Sequence, residues 1–96
     1  MRIQFTRSGG LSGLLTQVQL DLGELPDDER AELEHLVEDA RFFAQPSRQR
    51  GPRPDAFQYI IVVERGGERH EVLADERAMA AELRPLVERL TRLARR

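Results

Sequence analysis

Residues at the start of the chain alternate in character. Ile3, Phe5 and Arg7 fall in one phase, and Arg2, Gln4 and Thr6 in the other. The same period returns further on, where Leu14, Thr16, Val18, Leu20 and Leu22 share one side and Leu15, Gln17, Gln19 and Asp21 share the other. Period-two alternation on both sides of a glycine-rich stretch predicts a hairpin over 2–22, and the glycines permit the positive φ angles that its turn needs. From Pro26 the period changes. Leu33, Leu36, Val37, Ala40 and Phe43 fall at helical spacing, the apolar stripe of a helix over 26–43. Asp27, Asp28 and Glu29 crowd its start, where unpaired N–H groups favour negative charge. Leu25 is placed to pack back as a staple, and Pro46 stops the helix.

Alternation resumes at Phe57. Phe57, Tyr59, Ile61 and Val63 lie opposite Gln58, Ile60, Val62 and Glu64, with apolar residues on both faces, as expected of a central strand. Gly66-Gly67 then supplies a two-residue turn into a strand over Glu68–Ala74, giving a second hairpin over 57–74. The final segment, 76–95, carries a second helical stripe of Met79, Leu83, Leu86, Val87, Leu90 and Leu93. Pro85 falls inside this stripe. Because proline is tolerated in a first turn but not in a helix interior, a short turn near Glu76–Glu82 and a main helix near Arg84–Ala94 are expected. Between the first helix and the second hairpin, residues 45–56 carry three prolines, a glycine and three arginines without apolar periodicity, which reads as a long loop. The order is β-β-α-β-β-α. It predicts a single α+β domain over 1–96, a four-stranded antiparallel sheet with two helices packed on one face.

Composition narrows the class. Ninety-six residues, 40% hydrophobic and 33% charged, describe one small globular domain. No apolar run approaches membrane-spanning length, and no apolar signal segment follows Met1, so a cytoplasmic protein is expected. The lack of cysteine excludes disulfides and thiol chemistry. All 15 basic residues are arginine, as a GC-rich genome would produce. The net charge of −2 argues against bulk nucleic-acid affinity, and so does an aromatic content of only 5%. Neither helix carries a large aromatic anchor beside a basic face, so no membrane partner is expected.

Charge is segregated along the chain. Glu24–Asp39 holds eight acids and one arginine, Ala40–Arg53 four arginines and no acid, and Arg84–Arg96 five arginines and one acid. Such blocks suit either oriented docking or the charge preferences of helix ends.

Catalytic signatures are scarce. His35 precedes Glu38 and Asp39 at helical spacing, but one imidazole and two carboxylates are a poor zinc set. His70-Glu71 lies in a strand without the second histidine of a metalloprotease motif. Gly10-Leu11-Ser12-Gly13 lacks the Gly-x-Ser-x-Gly frame of a nucleophile turn, and no lysine follows to make a phosphate loop. No enzyme, metal or cofactor is expected. The residue that stands out is Leu11, a large apolar side chain in a glycine-rich turn with little core to reach. It is a candidate anchor for a partner's pocket. The candidate contact is therefore Ser8, Gly9, Gly10, Leu11, Ser12 and Gly13, with Arg48, Arg50 and Arg53 of the basic loop as a secondary contact. Leu33→Asp would place a charge in the helix seam and unfold so small a domain.

A run of motifs carries a resemblance: Ile-x-Phe-x-Arg-Ser-Gly-Gly-Leu-x-Gly at 3–13, Leu25-Pro26, Leu36-Val37-x-x-Ala40-x-Phe42-Phe43, Pro54-Asp55-x-Phe57-x-Tyr59 and Leu86-Val87-x-x-Leu90. In this ordered set the chain resembles the emfourins, small bacterial protein inhibitors of protealysin and other thermolysin-like zinc metalloproteases. The resemblance implies a metal-free, cofactor-free inhibitor whose partner is such a protease, with a monomeric free state expected. Enzymes of this kind prefer a bulky apolar residue just after the scissile bond, a preference that Leu11 meets. The competing reading is a non-catalytic regulatory adaptor that docks on a partner other than a protease.

Overall fold

The computed structural model describes residues 1–9, 15–51 and 56–96. Strand β1 (Arg2–Gly9) pairs antiparallel with β2 (Thr16–Asp21), placing Ile3 opposite Leu20 and Phe5 opposite Val18. A single 3₁₀ turn at Leu22–Glu24 leads into α1 (Asp27–Asp39), whose first turn carries Asp27, Asp28 and Glu29. Short strand β3 (Arg48–Gln49) follows, then β4 (Phe57–Arg65), β5 (Glu68–Asp75) and α2 (Arg84–Ala94). Pro85 lies in the first turn of α2, where its missing N–H removes no helical hydrogen bond. Gly66 and Gly67 take φ of 56° and 87°, both left-handed, so the β4–β5 turn needs residues without a Cβ penalty.

The sheet order is β2-β1-β4-β5-β3. It contains five strands and is mixed, which corrects the four-stranded antiparallel expectation. The addition is β3, which runs parallel to β5 with Arg48 opposite Leu73 and Gln49 opposite Ala74. It lies inside the stretch expected to be a loop. Side chains hold it there: Gln49 Nε2 donates to Gln45 Oε1 (2.9 Å), Ala80 N–H donates to Gln49 Oε1 (2.8 Å), and Gln45 Nε2 donates to the Ala40 carbonyl (2.8 Å).

Alternation is resolved as burial. Ile3 and Phe5 of β1, Tyr59, Ile61 and Val63 of β4, and Val72 and Ala74 of β5 line one face and are buried. Leu33 and Val37 of α1 and Leu86, Val87 and Leu90 of α2 join the same cluster, so both helices cover that face. The other face carries Gln4, Gln17, Gln19 and the exposed Ile60.

The first helix is shorter than its stripe suggests. It stops at Asp39, Arg41 turns left-handed (φ 50°), and Phe42–Ala44 form a separate 3₁₀ turn. The turn swings Phe42 into the core, whereas Phe43 is only partly buried.

Candidate protein-binding end of the sheet

Ser8 and Gly9 at the end of β1 and Gly51 just after β3 lie at one end of the sheet. Strand β1 finishes there with Ser8 and Gly9, which lie opposite Gln58 and Phe57 at the start of β4. Gly9 has φ +94°, and a Cβ on it would meet the Ala56 carbonyl at 3.2 Å, so the position favours glycine on both counts. One residue earlier, the Arg7 guanidinium stacks 3.7 Å from the centre of the Phe57 ring, a cation–π contact beneath the exit of β1. Across the connection Leu15 is 61% exposed before β2 begins. Gly10, Leu11, Ser12 and Gly13 lie outside the described residues.

The basic segment is anchored two strands away. Gln58 lies opposite Asp75, and the Asp75 carboxylate accepts hydrogen bonds from the N–H groups of Gly51 (2.5 Å), Arg77 (2.9 Å) and Ala78 (2.6 Å). The Gly51 N–H is the main reason the Asp75 carboxyl is held below the ordinary carboxylate pKa. Burial opposes that shift, while the other two N–H groups and the Arg50 charge support it. Asp75 thus ties the chain after β3 to the end of β5 and organises the turn that follows. The sequence carried one sign of this, an aspartate at the end of an apolar strand just before a turn. Arg48 and Arg50 are exposed, and neither forms an ion pair among the described residues. Arg53 lies outside the described residues.

The acidic block is used differently. Glu32 pairs with Arg89 (2.6 Å), Glu29 with Arg96 (2.6 Å), and Glu38 with Arg65. Three acids of α1 therefore meet Arg65, Arg89 and Arg96 within the molecule, while Arg48 and Arg50 form no ion pair among the described residues. Exposed pairs of this kind add little stability each.

Neither histidine is disposed for catalysis. His70, half-buried, donates from Nε2 to the Gln45 carbonyl at 2.7 Å and packs edge-on against Phe42. His35 is exposed on α1. Among the described residues no group of three His, Cys, Asp or Glu is arranged to hold a metal ion. No helix among them is long and apolar enough to cross a membrane.

Ser8 and Gly9 thus close β1 beside the β2 edge, and the exposed Arg48 and Arg50 lie on and just after β3 at the opposite edge. The family model described as Emfourin matches residues 5–91, a span that includes both segments, and the chain belongs to the Emfourin family. Neither curated proteins nor solved structures give a significant match.

Proposed function

We propose that this protein inhibits thermolysin-like (protealysin-like) zinc metalloproteases by tight, reversible occupation of the active-site cleft, with residues 8–13 as the contact. The observation that carries this reading is the family match across residues 5–91. The sheet end supports it physically. Gly9, held by the Phe57 pairing and set on the Ala56 carbonyl, fixes where the glycine-rich segment leaves the sheet. A segment that leaves a rigid sheet at a defined point loses less freedom on binding than a free peptide. Leu11 fills the apolar pocket beyond the scissile position, and Ser8 and Ser12 hydrogen-bond to the cleft walls. The glycines let the backbone approach closely in a geometry unsuited to cleavage. Arg48, Arg50 and Arg53 steer the inhibitor onto an acidic rim, raising the association rate more than the final affinity.

A titration against thermolysin tests the assignment. Leu11→Asp is expected to raise the inhibition constant by roughly a hundredfold or more, as loss of a buried anchor does, with an unchanged thermal melt. Association is expected to slow steeply with added salt, and less steeply once Arg48, Arg50 and Arg53 are replaced by Ala. An unchanged inhibition constant for folded Leu11→Asp would remove the contact assignment. A wild-type protein that inhibits no protease of this class would remove the function.

A further inference from the structure

Sheets protect their edges with short strands, prolines, bulges or charges, because an unpaired row of N–H and C=O groups recruits further strands. The β3 edge has such protection: two residues, Pro46 just before them, and exposed Arg48. The β2 edge carries a single charge, Asp21 at its end. It is six residues long, its pairing with β1 is continuous from Asp21 to Thr16, and Thr16–Leu20 carries neither charge nor proline.

The ladder identifies which β2 groups point outward. The Leu22 N–H donates to the Met1 carbonyl at 3.0 Å, and in the β1–β2 register these residues face each other, so they form a hydrogen-bonded pair. Hydrogen-bonded and non-hydrogen-bonded pairs alternate along an antiparallel ladder. Counting back from Leu22, the backbone groups of Leu20, Val18 and Thr16 turn toward β1. Those of Gln19 and Gln17 turn out of the sheet, and Leu15 continues the same phase.

We propose that the outward N–H and C=O groups of Gln17 and Gln19 receive an extended segment of the protease as an additional strand. The inference rests on the inhibitor reading above and enlarges its contact from the 8–13 segment to the β2 edge. Continuity argues for this occupant. Strand β2 follows the glycine-rich segment directly in the sequence, with exposed Leu15 just before it, so a protease that holds that segment has the β2 edge next in the chain. A second copy of this chain fits less well. The symmetry of Gln17-Val18-Gln19 would centre a self-pairing on Val18, setting exposed Leu15 against Asp21 of the copy, whose carboxylate already accepts the Gly23 N–H at 3.1 Å.

Amide hydrogen exchange on wild-type protein, free and with thermolysin, reads the edge directly. The Gln17 and Gln19 amides are expected to exchange fast in the free protein and to become protected in the complex. Gln17→Pro and Gln19→Pro delete one outward donor each, at an edge position where a strand tolerates proline. Each is expected to weaken inhibition roughly ten- to a hundredfold, the consequence of leaving a protease acceptor unpaired. If the complex forms but both amides stay unprotected, or folded proline variants inhibit normally, the strand addition is wrong and the inhibitor reading stands. Protection that rises with inhibitor concentration in the absence of protease would overturn the proposal in favour of a second copy. Failure of wild type to form any complex overturns both readings.

Discussion

Strand β3 is two residues long and is held by side-chain hydrogen bonds of Gln45, Gln49 and Asp75, whereas β2 runs for six residues and is held by its hairpin partner and the core beneath it. Gln45 and Gln49 bind one another, Ala40 and Ala80, and Asp75 takes the Gly51 N–H just beyond β3. Three of those bonds join β3 or its flanks to another element: the C-cap Ala40 of α1, the turn at Ala80 and Asp75 of β5. The two edges therefore depend on different things. Strand β2 pairs with β1 alone, while β3 depends on contacts with β5, the end of α1 and the turn before α2. The consequence for binding follows. The β3 edge carries the exposed Arg48, and at the β2 edge the backbone groups of Gln17 and Gln19 turn out of the sheet.

The largest change that would separate the two edges is Gln45→Ala. Gln45 is 7% exposed and donates to the Ala40 carbonyl, and its Oε1 receives Gln49, so truncation leaves buried polar groups unpaired. A loss of about 1–3 kcal/mol is expected, with the Leu73 amide, which donates to Ser47, losing its hydrogen-exchange protection while β2–β1 amides keep theirs. Equal loss of protection on both edges would show that they are not independent.

Asp75→Asn is expected to act more gently and only above acid pH, because an amide oxygen can still accept from Arg77 and Ala78. The Asp75 pKa is lowered in the folded state, so its ionised form contributes stability above the unfolded carboxylate value, and that contribution disappears as pH falls through the lower folded value. Thermal melts of wild type and Asp75→Asn should thus differ at neutral pH and converge in acid. A constant offset down to pH 2 would mean that the carboxylate charge plays no part in holding Gly51.

The smallest effect belongs to Arg41→Gly at the bend that leads from α1 toward β3. Arg41 sits at φ 50°, a conformation glycine adopts without a Cβ penalty. We expect a gain of roughly 0.5–1 kcal/mol, measured by denaturant unfolding, with no change in inhibition. A destabilised variant would mean that the arginine side chain stabilises the bend by more than its backbone strain costs.

Much of this architecture is legible in one dimension. Period-two runs at Ile3–Phe5, Val18–Leu20 and Phe57–Val63 mark strands because alternate side chains point to opposite faces. Leu33, Val37, Leu86, Val87 and Leu90 mark helices by a period near 3.6. Strand β3 was illegible, since Arg48 and Gln49 are too few to show a period and pair with residues 25 positions further on. The end of α1 was misread for a related reason. Phe43 continues the helical spacing, but the core takes Phe42 instead, and the backbone breaks at Arg41 to deliver it. At the candidate site, Ser8 and Gly9 close β1 beside the β2 edge and Arg48 and Arg50 lie on and just after β3 at the opposite edge, while Asp75 gave only the weak sign of an aspartate before a turn. Gly10 to Gly13 and Arg53 lie outside the described residues.

The glycine-rich segment between two alternating runs, the two amphipathic helices, the Gly66-Gly67 turn and the family to which the chain belongs were all determined by sequence alone. Each is written in neighbouring residues or in ordered motifs. Tertiary structure alone decided that Glu29, Glu32 and Glu38 of α1 would meet Arg96, Arg89 and Arg65, that Arg48 would lie on an edge strand paired with β5, and that the Gln17 and Gln19 backbone groups would face outward on the other edge. Those outcomes depend on distances between residues far apart in the chain and on the parity of a hydrogen-bond ladder, and both exist only once the sheet has closed around its core.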